Sequence, residues 1–221
     1  MSFTPWQRPE ASVLAIRAVA RRIAVLNKLC TQTKNQLHAA RQTAITPDFL
    51  IAELHQSIDY FEAQIERLRR QVRDLIAADE ALQQSFVLLI STTGIAAARV
   101  IQLLGELLVL PEDLCAEQWV AMAGLNSRRH SSGSSVSMKP RLSMAGNRDL
   151  RIVRYLPALS AARLDPNVRA FYHHFIESRS RKMIHAVCAV MHKRLLAIHA
   201  WLRIRSPFDG CRFYSPADTA A

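Results

Sequence analysis

The apolar positions of the chain fall into helical periods over most of its length. The clearest run is Ile51, Leu54, Ile58, Phe61, Ile65, Leu68, Val72 and Leu75, with alternating steps of three and four residues. That spacing is the a/d seam of a heptad repeat, with β-branched residues at every a position and Leu or Phe at d. Upstream, Ile16, Val19, Ile23, Leu26, Cys30 and Leu37 keep a similar rhythm, in a helix that Pro9 opens and that runs to about Ala40. Arg41 to Ile45 reads as a connector, Thr46 as an N-cap and Pro47 as the first residue of the second helix. Asp48 and Glu53 lie early in that helix and Arg67, Arg69, Arg70 and Arg73 late, an order that suits the helix dipole. Two such helices predict a hairpin within one chain, a coil between chains, or both.

The pattern changes near Ser85. No glycine precedes Gly94, and six occur from there on. The stretch from Leu88 to Leu108 predicts a helix end, a tight turn at Gly94 and an Ala-rich second helix. This resembles a helix–hairpin–helix module, whose turn presents backbone N–H groups to phosphate, with Ala96 where a second glycine is usual. Asn147 is placed to cap a helix through Tyr155 that is interrupted or kinked near Pro157. Asp165 and Pro166 form a cap and first position for a helix to about Ser178. Ile184, Val187, Met191, Leu195, Ile198 and Leu202 share one side of a core helix from Arg181 to Ile204, which Pro207 stops. The tail from Gly210 reads as loose. The expected fold class is all-α: a long helical hairpin or coiled coil over 1–85, a compact helical domain with a Ser-rich loop over 86–209, and a tail over 210–221.

Composition narrows the partners. The chain has 221 residues, 50% hydrophobic and 21% charged, enough for one or two domains with a core. No apolar run reaches the roughly 20 residues of a membrane span, and the first ten residues lack the apolar centre of a signal peptide. Cys30, Cys115, Cys188 and Cys211 stand singly, without a CxxC pair, so a reduced cytosolic protein is expected. The net charge is +11 from 29 Lys plus Arg against 18 acids, and all but five of the cations are Arg. Arg grips phosphate with a planar fork, so this bias favours nucleic acid. Residues 1–85 carry a net +2 (11 basic, 9 acidic) and residues 86–221 a net +9 (18 basic, 9 acidic), so the positive field lies in the second part.

The most cationic and least helical stretch runs from Gly124 to Arg151. Between Ala121 and Arg163 there are eight basic residues and one acid, Asp149, and seven serines fall from Ser127 to Ser143. Gly133 and Gly146 permit close backbone approach to a ligand. A serine hydroxyl becomes a nucleophile only when activated, and charge developing on phosphorus needs cations or N–H donors around it. Arg128, Arg129, Lys139, Arg141, Arg148 and Arg151 are available for that and for holding a DNA backbone. His130 reads as structural or DNA-contacting rather than as a base. Gly133 follows Ser132 directly with no glycine ahead at the GxSxG spacing, so a serine-protease elbow is excluded.

The order Gly124-Leu125, Ser132-Gly133, then Gly146-Asn147 and Leu150-Arg151 resembles the C-terminal transposase domain of the IS-one-ten class of bacterial insertion sequences. The resemblance spans roughly Trp6 to Asp209 and is strongest from Leu88 to Ala162. It implies DNA strand cleavage and transfer with Ser132 as the nucleophile and Ser131 as the fallback. Two positions depart from the family pattern: Ser127 stands where Pro is usual and Met144 where Lys is usual. The resemblance also implies a homo-oligomer through the coiled coil, DNA and a structured non-coding RNA as partners, no membrane, and a place in the cytoplasm at the nucleoid. Family members carry an N-terminal ribonuclease-H-like domain whose four acids hold Mg²⁺; here Glu10 and Asp48 are the only acids before Glu53. The expectation is a chain with no cofactor of its own, equivalent to a truncated or split transposase that is incomplete or inactive alone. The alternative is a catalytically inactive DNA- or RNA-binding or oligomerisation module.

Overall fold

The structure is a computed structural model that describes residues 8–43, 45–111, 113–128, 131–132, 136–137, 141–143, 145–179 and 182–215. The described residues are all-α in class, with nine helices and four two-residue strands, and they divide into two compact units.

The first unit, Arg8–Gln83, is a helical hairpin. Helix α1 spans Ala11–Arg41 and α2 spans Asp48–Ala77. Ile23 and Leu26 pack on Ile65, and Cys30 and Leu37 pack on Ile58, with Phe61 filling between both clusters. The heptad seam thus closes against α1 of the same chain. Its a positions Ile58, Ile65 and Val72 are buried, while Phe61 and Leu68 at d are half-buried. At the far end Leu75 is 39% exposed and Ile76 takes its place at 1%. A straight helix turns every 3.6 residues, so a strict 3.5 repeat drifts off its face.

Two local expectations shift. Pro47 is the N-cap of α2 rather than its first residue, and Thr46 makes no side-chain cap. Leu50 N–H and Ile51 N–H both reach Pro47 O, and Pro47's ψ of 142° is extended. The second helix also ends at Ala77 without Pro or Gly. Asp79 intervenes as a cap, its Oδ1 accepting from Ala81 N–H at 2.9 Å and Leu82 N–H at 3.1 Å, and α3 follows over Glu80–Ile90.

The second unit comprises the described residues from 84 onward. Helix α4 (Ala97–Leu107) buries Val100, Ile101, Leu103, Leu104 and Leu107. Helices α5 (Ala116–Met122), α6 (Arg148–Leu164), α7 (Pro166–Arg179), α8 (Met183–Ile204) and α9 (Gly210–Phe213) follow. Helix α8 packs on α5, α6, α7 and α9. Its Val187, Met191, Leu195 and Ile198 are buried as the period requires, but Ile184 is exposed. Asp165 Oδ1 accepts from Asn167 N–H and Val168 N–H, so Asp165 and Pro166 open α7 as expected. Helix α6 runs on through Pro157. The tail is not loose at its start: Asp209 caps α9, and Phe213 is 2% exposed, its ring edge-on to Phe171 at 5.7 Å. No described helix is long and apolar enough to cross a membrane.

Candidate functional site

The Ser-rich stretch pairs with itself. Strand β1 (Ser127–Arg128) runs antiparallel to β4 (Arg141–Leu142), and β2 (Ser131–Ser132) antiparallel to β3 (Val136–Ser137). Ser127 faces Leu142 and Arg128 faces Arg141 in the inner pair, and Ser131 faces Ser137 and Ser132 faces Val136 in the outer one. The backbone of Ser131 and Ser132 lies in the outer pair.

The base of this ribbon is clamped. Helix α5 ends in a Schellman motif: Leu125 N–H reaches Val120 O at 3.1 Å and Gly124 N–H reaches Ala121 O at 2.9 Å. Gly124 takes φ +67°, which favours glycine. On the return side, Ser143 N–H donates to Asn126 O at 2.8 Å and Asn147 N–H to Met122 O at 2.6 Å. Gly146 has φ +117°, and a Cβ there would collide with the Met122 carbonyl oxygen. Asn147 then does two things. Its Oδ1 caps α6 by accepting from Asp149 N–H and Leu150 N–H, and its Nδ2 donates to buried Glu106 at 2.5 Å. Arg151 Nη1 donates across to Ala123 O at 3.0 Å. Gly124, Gly146, Asn147 and Arg151 are thus brought together as the neck that fixes both ends of the ribbon.

Arg148 is the first residue of α6 and is exposed. Arg128 and Arg141 face each other in the inner pair through their backbones. The side chains of Arg128, Ser131, Ser132 and Arg141 lie outside the described residues, as do Arg129, His130, Gly133, Lys139 and Met144 altogether. Sequence reasoning missed Glu106, a lone acid in an apolar run whose carboxylate reaches Asn147. The Gly94 turn also has a packing role that the sequence did not reveal. Gly94 has φ +83°, and a Cβ there would stand 2.8 Å from Ala161 N and 3.1 Å from Pro157 O. The glycine is needed for packing on α6, so that side of the turn meets protein backbone rather than a phosphate.

Residues 87–173 match the Transposase IS116/IS110/IS902 family. The match begins in α3, ends in α7 and contains the whole ribbon and its neck. The expected resemblance to the C-terminal part of such a transposase is borne out over this segment. A search of curated proteins finds no match. The transposase segment also bears on metal chemistry. Among the described residues, no group of three or more His, Cys, Asp or Glu side chains could hold a metal ion.

Proposed function

We propose that this chain acts in DNA transposition as the serine-bearing helical part of an insertion-sequence transposase. The observation that carries this reading is the family match over 87–173, which encloses the clamped ribbon. In the proposed reaction Ser132 Oγ attacks the phosphorus of a DNA phosphodiester. A bond forms between Oγ and phosphorus, and the bond to the leaving sugar oxygen breaks. The serine proton is lost to solvent or a base, and the leaving oxygen takes up a proton. A hydroxyl of the target strand then attacks the same phosphorus and releases Ser132. Arg128, Arg129, Lys139, Arg141 and Arg148 stabilise the phosphoryl oxygens and hold the DNA backbone. Arg151, already bonded to Ala123 O, acts by positioning the neck.

The carboxylates that would bind magnesium are assigned to a ribonuclease-H-like half outside the described chain. A homo-oligomer and a structured non-coding RNA belong to the same reading. A second reading, a nucleic-acid-binding or oligomerisation module without catalysis, is favoured by Met144 where the family carries Lys.

Trapping tests both. The chain is incubated with element-end DNA, alone and with a ribonuclease-H-like half supplied separately, and a denaturant-resistant adduct is sought. An adduct in the mixture that disappears in Ser132→Ala and persists in Ser131→Ala is the expected result. No adduct in any mixture, with salt-sensitive DNA binding retained, leaves the second reading.

A further inference from the structure

The core of the second unit buries two guanidinium groups. Arg154 on α6 is 4% exposed and Arg194 on α8 is 3% exposed. Arg194 spends donors on main-chain carbonyls, Nη1 to Pro157 O at 2.6 Å and Nη2 to Thr93 O at 2.7 Å. Arg154 Nη2 donates to Met191 O at 2.8 Å, but its Nη1 is buried with no hydrogen-bond partner. Both arginines line one cavity, with Arg99, Leu103, Val153 and Ile198 among its walls and no carboxylate. The space is about 10 Å³, room for one water-sized particle.

Three guanidinium groups line this cavity, two of them buried, and gathering like charges in such a place is costly. An unpaired buried ion is disfavoured by several kcal/mol, and breaking its pairing leaves that penalty exposed. Burial, reinforced by the charge of Arg194, pushes Arg154 well below the ordinary arginine range. Burial pushes Arg194 down to about 10, against the opposing charge of Asp165. At that value Arg194 stays charged at neutral pH. Asp165 does not line the cavity, and its Oδ1 caps α7, so its charge acts on Arg194 from outside the cavity and leaves the Arg154 side without a carboxylate.

We propose that this cavity is a binding site for one small inorganic anion of halide size, held by Arg154 Nη1 and the remaining N–H groups of Arg194. A water molecule would satisfy the donor and leave the charge of Arg154 without an opposite one, whereas Arg194 has the carboxylate of Asp165 acting on it. A phosphate group, with four oxygens, exceeds the space, so the site is distinct from any contact with a DNA backbone. Because Arg194 also holds Thr93 O ahead of the Gly94 turn and Pro157 O in α6, the anion would lock turn, α6 and α8 together.

The test is thermal unfolding of the full chain at constant ionic strength while gluconate is exchanged for chloride. The wild type is expected to gain on the order of 3–6 °C in saturable fashion between low-millimolar and 150 mM chloride. Arg154→Met should lose that dependence, and inorganic phosphate should not replace chloride. An unchanged wild-type Tm, an equal chloride gain in Arg154→Met, or equal protection by phosphate would each overturn the proposal. Should Arg154→Met fail to fold, bromide in wild-type crystals decides. An anomalous peak between Arg154 and Arg194 supports the site; ordered water or empty density there refutes it.

Discussion

The hairpin and the second unit handle polar groups in opposite ways. The hairpin keeps its charges outside: Lys34 meets Glu62 at 2.6 Å and Glu66 meets Arg69 and Arg73, all on exposed or half-exposed positions. Such pairs contribute little in water. Its buried polar side chain is Thr33, whose hydroxyl returns to Leu29 O in its own helix. The second unit instead buries Glu106, Arg154, Asp165, Arg194 and His199. Several of these bind main-chain groups of other elements, as Arg194 does with Thr93 and Pro157. One unit is specified by a period, the other by individual polar contacts that fix where non-adjacent segments meet.

That contrast predicts different sensitivities. The largest effect is expected from Gly146→Ala in the neck, where positive φ and the Met122 carbonyl both oppose a Cβ. A loss of roughly 3 kcal/mol is expected in urea unfolding of the second unit as the ribbon loses its anchor. Gln36→Ala, on the outer side of α1, should stay within about 0.5 kcal/mol. Equal midpoints for the two variants would show that the clamp does not hold the ribbon. Next is Ile65→Asp, which puts a carboxylate into the cluster with Ile23 and Leu26. A cost of about 3–4 kcal/mol is expected, read as lost hairpin helicity by circular dichroism. Helicity retained together with a fall in mass by light scattering would instead place the seam between chains.

The same contrast decides what could be read in advance. The two long helices and their seam were legible because apolar steps of three and four need no knowledge of a partner, and for the same reason those steps left open whether the seam closes within one chain. The caps Asn147 and Asp165 were legible because their acceptors serve N–H groups two and three residues away. The break at Asp79 escaped notice because no proline or glycine announces it, only a carboxylate that caps as well as it solvates. Helix α9 escaped because Phe213 owes its burial to Phe171, 42 residues earlier. Arg154 and Arg194 were counted into a basic surface. Nothing local separates an arginine that meets DNA from one that meets Met191 O or Pro157 O. The motif glycines were recognised by their order, but the reason for Gly146 lies in Met122, across the ribbon.

The smallest effect expected is a pH dependence in the second unit. His192 on α8 is half-buried, and burial first, then the charge of Arg154, lowers its pKa below the ordinary 6.5, with Glu117 opposing. In the unfolded chain His192 titrates near 6.5, so below that value the unfolded state binds more protons than the folded state. Stability from this group is therefore present above about pH 6.5 and is lost as the pH falls through the folded value. Its partial exposure keeps the effect small, roughly 1–2 °C in Tm between pH 7 and pH 5. His192→Gln should remove that part of the acid slope, and parallel slopes in wild type and variant would exclude His192 as its source. Chloride sharpens the experiment. An anion beside Arg154 offsets the charge that disfavours His192 protonation, so the wild-type slope should be shallower in chloride than in gluconate. In His192→Gln the two salts should give the same slope, even though chloride still raises its Tm.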